Sequence, residues 1–283
     1  MRTPRVAQAE RLFGRLMLNA VLPLAVAYLV VTYLADPSHI NTGDLQQNTL
    51  LMNTRPFFRG ATGDVLALSL ASSGVLFLTA VVGAILLGVP AGILYGWSTA
   101  SAKKTVVWSA STLAVSLPAF FWAVALELLM ILVYVHTDWR FLPIAGFGLD
   151  EHLVLPSIAL GARPAAYIFR LTATAVEDIR HTDYMRTAIA KGLGERALLS
   201  RHVLPNAAPS IIAATLLGAR GALSSLIIVE FVYVWGGAAL IFVQALGNRR
   251  LELATGIALT FAVASVLLTL GAEFAHSRVR VQA

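Results

Sequence analysis

VLALSLASSGVLFLTAVVGAILLGVPAGILYGWSTASA, residues 65–102, runs for 38 residues without a charged side chain. About 20 mostly apolar residues in a helix cross the roughly 30 Å of hydrocarbon in a bilayer. The stretch therefore holds one long membrane helix with an interfacial lead-in, and it sets the reading of its neighbours. Leu16–Ala35 and Leu253–Ala272 are charge-free as well. Thr105–Thr137 carries only Glu127, Leu153–Val176 only Arg163 and Arg170, and Ala207–Trp235 only Arg220 and Glu230. The pattern predicts six transmembrane helices, over approximately 16–35, 70–98, 105–136, 153–176, 207–235 and 253–273. The fourth is the most polar and contains Pro156 and Pro164. The polar segments between spans are too short for a separate soluble domain, so 1–283 reads as one all-α transmembrane domain.

Composition agrees. The chain is 58% hydrophobic and 13% charged, where a soluble domain carries about 25% charged residues. A disordered chain is excluded for the same reason. The absence of cysteine excludes a disulfide scaffold, a thiolate metal site and a cysteine nucleophile. The net charge of +6 is spread between apolar runs, which points to orientation in a bilayer rather than to nucleic acid. With the N-terminus inside, 14 of the 21 Lys and Arg fall in inside segments and 5 in outside loops. Both termini are then expected in the cytoplasm. Arg2, Arg5, Arg11 and Arg15 before the first run resemble the start of a signal peptide. That run is long for a signal core and no small-residue cleavage site closes it, so it reads as a retained anchor.

Bond chemistry finds no support. None of the three lysines stands in a G-x-x-x-x-G-K-[ST] loop, and no G-x-S-x-G elbow occurs. The six histidines lie in separate segments without ligand spacing, so neither a metal nor another cofactor is expected.

The segment expected inside, 177–205, contains DYMRTAIAKGLGERALLSRHVLP over 183–205. Asp183 can cap a helix, whose first turn leaves N–H groups unsatisfied. Tyr184–Lys191 then forms a short helix, Gly192 and Gly194 weaken it, and a second helix runs from Glu195 to His202 before Pro205. Composition alone also allows an ordinary basic interfacial linker.

The order of residues adds more. Arg186-Thr187-Ala188, then three residues, then Gly192, then nine residues, then His202-Val203-Leu204-Pro205, resembles the E-A-A … G … I-x-L-P loop of permease subunits in bacterial ATP-binding-cassette importers. The wording Arg-Thr-Ala-x-Ala-Lys-Gly-Leu, which includes Ala190, Lys191 and Leu193, is most similar to the dipeptide/oligopeptide branch, whose members serve peptide or nickel uptake. Ser116-Leu117-Pro118-Ala119-Phe120, Leu142-Pro143 with Gly146, Leu155-Pro156, and Val229-Glu230-Phe231 with Gly236-Gly237 also resemble family stretches. Three places depart from it. The outside loop 36–64 is short, Asn248-Arg249-Arg250 stands where an acidic residue is usual, and His276-Ser277-Arg278 replaces a D-P-R.

The resemblance implies a non-catalytic permease subunit in a prokaryotic inner membrane, forming half of a translocation path. It implies four kinds of partner besides lipid: a second similar or identical permease subunit, two cytoplasmic ATP-binding subunits, an extracytoplasmic solute-binding protein and the transported solute. A secondary carrier is the alternative, although Glu127 and Glu230 are the only acids in the apolar runs.

Within the spans, Gly88, Gly92 and Gly96 form a small-xxx-small row suited to close helix packing. Intramembrane charges are expensive and suggest function or pairing. Glu127 and Arg163 lie at matching depths and are expected to pair. Arg220 has no partner at its depth, which leaves a polar pathway or snorkelling. Glu230, near the outer end of its span, is expected at the interface or in an outer gate.

Overall fold

The computed structural model describes residues 62–98, 101–139 and 141–279. The expected first span, 16–35, lies outside them. Among the described residues the regular structure is all helical. We number α1 (Thr62–Trp97), α2 (Ser101–Ser116), α3 (Ala119–Thr137), α4 (Val154–Arg180), α5 (Asp183–Ala190), α6 (Glu195–Leu198), α7 (Leu204–Val232), α8 (Ala238–Gly247) and α9 (Leu251–Val279).

Four stretches are long and apolar enough to cross a membrane: Asp64–Trp97, Ala119–Thr137, Glu195–Val232 and Leu251–Ala275. Two expected spans differ in detail. The run 105–136 is broken into α2 and α3, with Pro118 extended at φ −70, ψ 157 between them. Proline lacks an N–H and drives the residue before it out of the helical region, so α2 ends at Ser116, just before Leu117. The expected fourth span is a 27-residue helix, α4, but is not among the apolar four. Its buried residues, from Leu155 to Val176, lie largely along one side.

The chain divides into two compact units, residues 62–75 with 234–267 and residues 76–233 with 268–279, among those described. In the smaller, Val65, Ala238, Ile241, Ala245, Leu253, Ala254 and Ile257 form the core. There Ala238 N–H donates to Ser73 Oγ at 2.7 Å. Gly237 at the N-cap has no side chain to offer, so α1 supplies the missing cap.

In the larger unit α4 is central: α2, α3 and α7 all pack on it, α7 most extensively. The remaining side of α4 meets the glycine row of α1. A Cβ at Gly88 would stand 2.7 Å from Ala165 O, one at Gly92 2.6 Å from Thr172 Cβ, and one at Gly96 2.6 Å from Ala173 O. The row is thus an interface inside the subunit, where backbones approach more closely than any side chain permits. Arg180 closes this interface at the C-terminal end of α4, donating from Nη1 to Trp97 O at 3.0 Å at the end of α1.

The glycine row yields a contrast. Gly92→Ala is expected to destabilise the folded subunit by about 1–3 kcal/mol through overpacking. Gly83, on the same helix, has nothing within 4 Å of its missing Cβ, and Gly83→Ala is expected to leave stability unchanged or raised. The thermal unfolding midpoint in detergent reads both; equal midpoints would remove the interface from the account.

Candidate functional site

The loop between α4 and α7 is a folded unit. His181 and Thr182 end α4, and Thr182, in extended conformation at φ −71, ψ 152, occupies the N-cap of α5. Asp183 is therefore the first helical residue and not the cap: it acts on the helix dipole from the first turn. Thr182 Oγ1 donates back to Ile179 O at 2.7 Å. Arg186 reaches Asp183 at 3.4 Å, with both side chains exposed, so this pair is of little energetic weight. Thr187 Oγ1 bonds to Asp183 O at 3.1 Å.

α5 ends in a Schellman arrangement. Gly192 N–H bonds to Ile189 O at 2.9 Å and Leu193 N–H to Ala188 O at 3.5 Å. Gly192 takes φ +78, and nothing lies within 4 Å of a Cβ built there. The glycine is needed for its left-handed backbone, not for close approach. Leu193 then folds back on the core under α5, as this motif favours.

That core consists of Val176, Met185, Ala188, Leu198, Val203 and Ala207. Only Met185 and Ala188 of α5 face it. Ala188, the last residue of the E-A-A-like triplet, is inward-facing at 5% exposure. Asp183, Tyr184, Arg186, Thr187, Ile189, Ala190 and Lys191 form the exposed surface. Tyr184 also reaches across: Asn206 Nδ2 donates to its hydroxyl at 3.3 Å, leaving the phenol O–H to bond to His202 Nδ1 at 2.8 Å. The clamp fastens α5 to the start of α7.

The expected helix break at Pro205 does not occur. Residues Leu199–Val203 form a π-turn, in which Leu204 N–H bonds to Leu199 O. The wider turn makes room for the ring of Pro205, which sits at the start of α7 where its missing N–H matters least. Leu204 is half-buried and Pro205 exposed.

Beside this loop, Lys104 Nζ lies 3.4 Å from Glu177 Oε1 and 4.9 Å from the Tyr95 ring centroid. Arg170 stacks 4.3 Å from the Trp108 ring centroid and donates to Thr112 Oγ1. Tyr95, Lys104, Thr105, Trp108, Ser109 and Glu177 line a cavity of about 360 Å³.

The structure brings together few of the intramembrane charges. Glu127 is half-buried and Arg163 exposed, and no ion pair joins them among the described residues. Arg220 is half-buried. Glu230 is fully buried at 0% exposure, so the expectation of interfacial exposure is wrong. Three residues on, Tyr233 donates its hydroxyl to Ala123 O at 3.2 Å and accepts Gly146 N–H at 2.9 Å. These bonds tie the end of α7 to α3 and to the loop 138–153. In that loop the hydrogen bonds from His152 to Asp150, from Nδ1 at 2.7 Å and from the backbone at 3.1 Å, hold the Asp150 carboxyl below the usual carboxylate range.

Comparison with known proteins fits this geometry. A sequence model of the family described as binding-protein-dependent transport system inner membrane component matches residues 84–280. The chain belongs to this family. It is 30% identical over 207 residues to the glutathione transport system permease protein GsiC of Escherichia coli, and equally to that of Shigella dysenteriae, covering 72% of this chain and 65% of those proteins. It is 28% identical over 245 residues to GsiC of Salmonella choleraesuis, covering 86% of this chain and 75% of that protein. The match thus spans slightly under two thirds of the length of the first two relatives. As an inner membrane component with several apolar helices, the chain is a multi-pass membrane protein.

The match covers the loop 177–205 and the intramembrane charges Glu127, Arg163, Arg220 and Glu230. Sequence reasoning missed Asn206, which a search for polar residues four positions from His202 would have found. It also missed Ser73, for which no local signal exists because the cap lies 165 residues away.

The Gly192 backbone supplies a test. Gly192→Val forces a β-branched residue to φ +78 and is expected to cost about 1–2 kcal/mol, whereas Gly192→Asn, which tolerates this region, retains most of the stability. Thermal unfolding of the two variants checks this; equal losses would assign Gly192 to packing instead.

Proposed function

We propose that this chain is the permease subunit of an ATP-driven importer. It forms half of a translocation path for a peptide-type solute handed over by an extracytoplasmic binding protein. The observation that carries the proposal is α5: a short helix, rooted in the subunit by Met185 and Ala188, that leaves Tyr184, Arg186, Thr187, Ile189 and Ala190 exposed. A helix with an apolar Ile189 at 54% exposure on a folded base is suited to insertion into a cleft on a partner. In this reading that partner is one of two cytoplasmic ATP-binding subunits, and a second permease subunit completes the path. The chain itself does no bond chemistry. Nucleotide-dependent differences in partner affinity for outward- and inward-open states drive the cycle. The charge asymmetry supports six spans with both termini in the cytoplasm. The name of the GsiC relatives, a glutathione transport system, supports a small peptide as solute; nickel complexes belong to the same scaffold's range.

Two substitutions one residue apart separate docking from folding. Ile189→Glu is expected to leave membrane levels near wild type while abolishing co-purification of the ATPase and uptake. Ala188→Asp places a charge in the core under α5 and is expected to lower the level of folded subunit itself. Retained ATPase binding in Ile189→Glu would contradict the proposal.

A further inference from the structure

The two sides of α4 differ in character. One side carries Ala165, Ile168, Phe169, Thr172, Ala173 and Val176 against the α1 glycines. At 3.6 residues per turn, Arg163, Tyr167, Arg170 and Thr174 fall on the opposite side in a single stripe. Within the stripe Arg170 is covered by α2, stacking on Trp108 and bonding to Thr112. Arg163 and Thr174 are exposed and Tyr167 is half-buried. Arg163 makes no hydrogen bond, ion pair or ring contact among the described residues.

Depth makes this position costly. Arg163 stands nine residues after Val154, at the start of α4, which places it roughly 14 Å along the helix axis. Counted from a membrane boundary at Val154, the start of the expected fourth span, that is near the middle of about 30 Å of hydrocarbon. A guanidinium there must face water or an anion, because lipid leaves it unsolvated. Glu127, the acid expected beside it, does not take it up.

We infer that the Arg163–Tyr167–Thr174 stripe of α4 lines the water-filled path through the membrane, and that Arg163 is the group that receives a carboxylate of the passing solute. The inference rests on the reading of the chain as a transport subunit and adds the chemistry of recognition inside it. Guanidinium matches carboxylate geometry with two parallel N–H donors. Arg163 has its donors free, whereas those of Arg170 are engaged by Thr112. The Tyr167 hydroxyl and the Thr174 hydroxyl, one and three turns further along, offer the polar surface on which the solute leaves toward the cytoplasm.

The chain has no cysteine, so single introduced thiols report without background. Tyr167→Cys, Thr174→Cys and a control, Leu132→Cys on the exposed apolar side of α3, are labelled in proteoliposomes with two methanethiosulfonates, one an anionic sulfonate and one a cationic trimethylammonium. Cysteines 167 and 174 are expected to react at least about tenfold faster than 132, because a thiol reacts as thiolate in water and not in lipid. At 167 the anionic reagent is expected to react several-fold faster than the cationic one. Arg163→Gln should erase that preference and Arg163→Lys should keep it. Saturating tri-alanine should slow labelling at 167, and its C-terminal amide should not. Rates at 167 and 174 as slow as at 132 would overturn the path. A preference unchanged by Arg163→Gln, or equal or no protection by acid and amide, would overturn the carboxylate site. These rates are read on the assembled permease pair in the membrane and depend on neither ATP hydrolysis nor docking of an ATPase. Failure of ATPase co-purification in the parent protein would sink the proposed function separately.

Discussion

The contact between Gly96 and Val176 joins the two halves of the account. A Cβ at Gly96 would lie 2.8 Å from Val176 Cβ, so the missing side chain is what lets α1 and α4 meet there. Val176 is at the same time part of the core on which Met185, Ala188, Leu198 and Val203 sit. The last turn of the α1–α4 interface and the base of α5 are therefore one packed cluster. Close-packed interiors transmit displacement because there is no free volume to absorb it. A force on α5 reaches α4 through Val176 and α7 through Val203 and Ala207. The Tyr184–His202–Asn206 clamp provides a second, polar connection on the outside of the same cluster. Arg180 fixes the end of α1 to α4 from the other side.

Much of this arrangement is legible in the sequence, and the exceptions have physical causes. The apolar runs 65–102, 207–235 and 253–272 read directly as helices because lipid permits almost no alternative for an exposed backbone. The glycine row at four-residue spacing reads as a packing surface, although only the structure tells that its partner is α4 of the same subunit. Pro118 and Pro205 have opposite effects that spacing cannot separate. The first ends a helix, while the second opens one, because a π-turn ahead of it widens the backbone. The loop motif locates the site but not its orientation. Ala188 and Ile189 are neighbours of similar apolar character, yet one is 5% and the other 54% exposed. Which faces inward depends on the angle at which α5 leaves Thr182.

Charges were the least legible feature. Depth matching suggested a Glu127–Arg163 pair, but depth fixes one coordinate and leaves the angle around each helix free. Glu230 illustrates the converse: it sits near a helix end, yet its own side chain is fully buried while Phe231 beside it is exposed. A buried polar group of this kind is tolerated where it is partnered, and Glu230 has such interactions.

The central claim is that α5 presents one fixed face to an ATPase partner and the other to its own subunit. Photo-crosslinking tests it most directly, with a benzophenone amino acid placed in turn at Ile189 and at Met185 in cells producing the whole transporter. The account predicts an adduct between the subunit and the ATPase from position 189 and none from position 185. Adducts of equal yield from both positions, or none from position 189, would contradict it.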